Sequence, residues 1–113
     1  MYKLTVRKGP NVTREKFESL DDAVAAMERR VKDIRSEGPL ETKKVFRDYE
    51  PGVQVAGRVS ISTGGLFRSG DEAGIDVMGD GTLVPYSGGV RRNELDPGQQ
   101  GPFEAVRMAL KFK

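Results

Sequence analysis

The sequence predicts an α+β fold, a two-layer sandwich in which an antiparallel sheet of about five strands carries both helices on one face. Three observations predict it. Apolar and polar residues alternate at the N-terminus and again after residue 45; a stripe with apolar spacings of four and three lies between; a short amphipathic segment closes the chain. The alternation carries most weight, because strands covered on both faces read as unbroken apolar runs. The expected element order is ββαβββα, within a single domain over residues 1–113.

Tyr2, Leu4 and Val6 alternate with Lys3, Thr5 and Arg7, the pattern of a half-buried strand. Gly9-Pro10-Asn11 turns the chain, and Val12 to Glu18 returns it with Phe17 inward. Asn11-Val12-Thr13 has the form of a glycosylation sequon, but beside an N-terminus unlike a secretory signal it reads as turn chemistry. Leu20, Val24, Met27, Val31 and Ile34 then line one side of an amphipathic helix. Ser19 is its N-cap, with Asp22 in the capping-box position. Asp21 and Asp22 sit at the positive end of the helix dipole, and Arg29, Arg30, Lys32 and Arg35 gather toward the negative end. Gly38-Pro39 stops the helix, and Leu40 to Lys44 connects onward. A coiled coil would use the same spacing, but the stripe is short and Ala23 and Ala26 widen it, which favours packing on a sheet.

From Val45 to Ser62 the period is two. Val53, Val55, Val59 and Ile61 share one parity and are expected beneath the helices; Gln54, Ala56, Arg58, Ser60 and Ser62 share the other, with a bulge at Pro51-Gly52. Asp80-Gly81 reads as a two-residue type I′ hairpin loop, which pairs Val77 with Val84 and Ile75 with Tyr86. Pro85 places the returning strand at an edge or a bulge, and Gly88-Gly89 loosens it before Val90-Arg91-Arg92. Asp96 to Gly101 is a polar turn, Pro102 opens the last helix, and Phe103, Val106 and Leu110 form its apolar side.

The 113 residues contain neither histidine nor cysteine. That excludes imidazole and thiolate chemistry: no Cys or His nucleophile, no Ser-His-Asp relay, and no metal centre built on those ligands. A net charge of +2, from 19 basic and 17 acidic residues, makes no bulk case for nucleic acid, so only local clustering bears on it. The lack of cysteine fits a reducing compartment; Met1 to Lys8 alternates and so is unlike a signal peptide; no apolar run reaches the length of a membrane span. A cytoplasmic protein without a membrane partner or cofactor is expected.

Each candidate site has a plainer alternative. Ser62 to Gly70 is glycine-rich, but a phosphate loop needs Lys then Ser or Thr before a helix, and here Asp71-Glu72 follow. It reads as a strand connection, with Leu66, Phe67 and Arg68 at its tip as partner contacts unless Phe67 folds back on the sheet. Asp71, Glu72, Asp76 and Asp80 lack calcium-loop spacing, since Met78 stands where an oxygen ligand is needed and Ser87 replaces the closing glutamate. Asp76 and Asp80 are expected to point into solvent, and no metal or catalytic residue is predicted. Lys3, Arg7 and Arg58, joined by Arg14 and Lys16, fall on the open side of the sheet, where they suit nucleic-acid phosphates or a merely solvated face. Three strands running into a terminal helix are similar in outline to the double-stranded RNA-binding fold. Gly101-Pro102-Phe103-Glu104 replaces that fold's lysine-rich helix start, so the likeness is topological only. Ala56, Met78, Leu83 and Pro85 are expected on the same side as an apolar homodimer seam. The expectation is therefore a non-enzymatic binding protein that self-associates through its open face or edge strand, with Met78, Leu83 and Pro85 as partner contacts. The alternative is nucleic-acid binding through the basic residues.

Overall fold

The alternating N-terminal residues form strand β1 (Tyr2–Lys8), which returns as β2 (Asn11–Phe17). Gly9, at φ 57°, opens the two-residue loop between them and meets the positive φ of a type II′ turn. The apolar stripe becomes α1 (Leu20–Ser36), started as expected by Ser19, whose Oγ accepts the Asp22 N–H at 3.0 Å. Then come β3 (Val55–Thr63), β4 (Glu72–Met78), β5 (Leu83–Ser87), β6 (Asn93–Glu94) and α2 (Pro102–Lys111), with Pro102 at the helix start. This computed structural model describes residues 1–36, 55–63, 72–88 and 93–111. The expectations for Gly38-Pro39, Leu40 to Lys44, Val45 to Gln54, Leu66 to Arg68 and Val90-Arg91-Arg92 lie outside the described residues.

The strands make one antiparallel sheet in the order β2-β1-β3-β4-β5-β6, with both helices on one face. α1 lies chiefly over β1 and β3, and α2 over β4 and β5. The core forms where Leu4, Val59, Ile61, Ala73, Ile75 and Val77 meet Ala23, Met27, Val31, Ile34, Val106 and Leu110. Area removed from water along that seam is the main force holding the layers together. Where the helices meet, an Arg107 Nη of α2 lies 2.8 Å from Asp21 of α1.

The architecture is the expected one, with three differences of detail. The described residues form six strands, one more than expected, because the two residues of β6 are too few to show a period. The register breaks between Val55 and Gly57, so Ala56 packs toward the core while Val55 is 46% exposed, reversing their expected sides. Gly57 follows the break because α1 presses close: a Cβ there would stand 2.9 Å from Ile34 Cδ1.

The third difference is the β4–β5 register. Val77 pairs with Leu83, Asp76 with Val84 and Ile75 with Pro85, one residue away from the expected pairing. The loop holds an extra residue: Met78 N–H donates to Thr82 O, Gly81 N–H donates to Met78 O, and Gly81 sits at φ 91°. This is the three-residue hairpin ending in a left-handed glycine, not a two-residue type I′ loop. One residue of slip exchanges the faces of a strand. Leu83 and Pro85 therefore turn toward the helices, and Val84 and Tyr86 take the open side. Pro85 is tolerated because its missing N–H faces β6, which supplies only a short ladder there.

Candidate functional site

The open side of the sheet is built from the other parity of each strand. Lys3 lies opposite Lys16 and Ser62, Thr5 opposite Arg14 and Ser60, and Arg7 opposite Val12 and Arg58. All the predicted basic residues, Lys3, Arg7, Arg14, Lys16 and Arg58, thus share one surface on three neighbouring strands. Lys3, Arg7, Arg14 and Lys16 are exposed, and among the described residues none of the four has an ion-pair partner. The carboxylate of β2, Glu15, has the opposite parity and bonds Arg30 of α1 on the helix side. Past β3 the sign reverses, for Glu72, Asp76 and Glu94 occupy this side of β4 and β6.

Arg58 differs from the other cations. Its Nε donates to Asp76 Oδ1 at 2.6 Å, and its guanidinium carbon lies 5.7 Å from the centre of the Tyr86 ring. The hydrogen bond to Asp76 pushes the Arg58 guanidinium further above its already high range, outweighing the opposing effect of burial. Asp76 is only 6% exposed and Tyr86 only 2%. Asp76, expected in solvent, instead neutralises Arg58, which contributes little net charge to an incoming anion. Gly74 makes the arrangement possible: a Cβ there would stand 2.8 Å from the Tyr86 hydroxyl. The Asp76–Arg58–Tyr86 group escaped sequence reading because it depends on the hairpin register. The available signal was Gly79-Asp80-Gly81, whose last glycine marks the longer loop.

The apolar seam does not assemble. Pro85 is buried and Leu83 packs partly against the core on the helix side, where Ala56 also lies; Met78 remains on the open parity opposite Val55. A cleft of about 480 Å³ between β2 and α1 is lined by Glu15, Arg29, Arg30, Lys32 and Asp33, all charged. Among the described residues no three metal-ligating acidic side chains converge, and no helix is long and apolar enough to cross a membrane. No protein-family model, curated protein or solved structure matches the chain.

Proposed function

We propose that this chain acts by binding, without catalysis, and that Lys3, Arg7, Arg14 and Lys16 hold the phosphate backbone of a nucleic-acid duplex. One observation carries the reading: these four exposed cations, free of ion pairs among the described residues, share one face of the sheet on which β1 and β2 present no carboxylate. A row of uncompensated charge on a rigid sheet attracts a polyanion and releases its counterions, whatever the base sequence. A duplex fits better than a single strand. Single-strand binders stack bases on exposed aromatic rings, and on this face Tyr86 is buried under Arg58. The absence of histidine and cysteine supports the non-catalytic half of the reading, and the lack of thiols suits a reducing, cytoplasmic setting.

Fluorescence anisotropy with duplex RNA and duplex DNA across a salt series tests this. The logarithm of the affinity should fall linearly with the logarithm of salt, with a slope of about −3 to −4 for four phosphate contacts on a duplex. Each of Lys3→Gln, Arg7→Gln, Arg14→Gln and Lys16→Gln should reduce that slope by about one, whereas Arg58→Gln combined with Asp76→Asn, which removes both charges of the pair, should barely change it. Absence of binding at low salt, or binding untouched by all four substitutions together, overturns the reading and leaves the charge as solubilising surface.

A further inference from the structure

Among the described residues β2 ends the sheet, with β1 as its neighbour on one side. The pair Lys8–Asn11 closes a two-residue hairpin loop, and such a closing pair exchanges both of its backbone hydrogen bonds. Bonded and non-bonded pairs then alternate along the ladder. Asn11, Thr13, Glu15 and Phe17 turn their backbone groups toward β1, which leaves the N–H and C=O groups of Val12, Arg14 and Lys16 directed outward in the plane of the sheet. All three residues are exposed, Val12 at 37%, and the β1–β2 register runs without a bulge. Such an edge is a template for another strand, and among the described residues its charges are what guards it.

We infer that a second copy of this chain adds to that edge, β2 against β2, and that the bound polyanion closes the pairing. The trigger rests on the function proposed above; the choice of occupant rests on how the strand fits itself. Antiparallel pairing must set outward residues against outward residues. Centred on Thr13, it places Val12 opposite the partner's Arg14 and Asn11 opposite the partner's Glu15, with no like charges directly facing. Centred on Arg14 it opposes two guanidinium groups, and centred on Glu15 two carboxylates, both unfavourable. The two-fold axis at Thr13 stands perpendicular to the sheet, so both open faces lie on the same side. Lys3, Arg7, Arg14 and Lys16 of each copy then form one continuous basic surface. In the free chain the two halves repel and keep the edge single. A duplex lying across the seam neutralises both, so anion binding and strand pairing reinforce each other, as linkage requires.

Two variants separate this inference from the reading beneath it. In Val12→Pro every cation is kept, and the N–H that is lost faces outward, so the β1–β2 ladder survives while strand addition is blocked. Wild-type chain and Val12→Ala should bind duplex cooperatively with two chains per complex by light scattering, and Val12→Pro non-cooperatively with the same salt slope per chain. Since the chain has no cysteine, Thr13→Cys carries a single thiol that can form a disulfide only with another copy. At the two-fold position the facing Cα atoms stand about 4.5 Å apart, within disulfide range. Mild oxidation should cross-link Thr13→Cys at least tenfold faster with duplex present, and much faster than Gln99→Cys in the exposed turn before α2. Cross-linking of Thr13→Cys no faster than Gln99→Cys, or cooperativity intact in Val12→Pro, overturns the seam even if duplex binding holds. Preferential Thr13→Cys cross-linking without measurable duplex binding supports the seam and sinks the polyanion reading instead.

Discussion

A methyl group added at position 74 would stand 2.5 Å from Val59 O and 2.8 Å from Ser60 Cα, both rigid backbone. Gly74 lies between Ser60 and Tyr86, so its missing side chain lets two strands close up and a ring lie across them. Gly74→Ala should cost about 2–3 kcal/mol in urea unfolding, the range for overpacking that only a backbone shift can relieve. A loss below about 0.5 kcal/mol, the scatter of ordinary surface changes, would show that the strands are not so tightly apposed. Arg58, recognised in the sequence as basic, becomes the half-buried cation of a charge-balanced pair once Asp76 lies beside it. Charge read from a sequence is formal charge; its availability depends on what lies across the next strand.

At the scale of elements, α1 was legible and the β4–β5 hairpin was not, for a physical reason. The period of α1, its Ser19 cap and its charge gradient are local, and each acts within about one turn of the residue that supplies it. A hairpin register is shared between two strands and a loop, and a one-residue error in the loop inverts every later side chain. The loop also supplies a pH-dependent contact. The Asp80 carboxylate accepts the Thr82 N–H at 2.9 Å, and that hydrogen bond holds the carboxyl below the usual carboxylate range. Because the folded form binds its proton less readily than the unfolded one, this contact contributes fully above the ordinary Asp range. It is lost as pH falls through the depressed value. Asp80→Asn, which keeps a neutral acceptor, should therefore show a shallower loss of stability on acidification than the wild type. Parallel acid profiles for the two proteins would count against the contact.

Across the whole molecule, one core ties strands from β1 to β4 to both helices, with Met27 fully buried at its centre. Met27→Ala should cost about 2–5 kcal/mol, the range for emptying a buried methionine site. Helical circular dichroism and tyrosine fluorescence should still be lost in a single shared transition. Separate midpoints would mean that the helices and the surroundings of the three tyrosines belong to different cooperative units. The open side also carries a sign gradient, from basic β1 and β2 to acidic β4 and β6. That gradient sets which edge an anion approaches, so the proposed binding and the β2 seam fall at the same end of the sheet.

The layer architecture, the cap and stripe of α1, the parity of β1 and the places of Lys3, Arg7, Arg14 and Lys16 on the open side could all be read along the chain. These follow from periodicity along a single segment, which steric and solvation forces impose locally. The strand order, the bulge that turned Val55 outward, the slip that carried Leu83 and Pro85 beneath the helices, and the pairing of Arg58 with Asp76 emerged when the strands came together. Those depend on matching one segment to another distant in the chain, where a shift of one residue changes little in composition and reverses which atoms meet water.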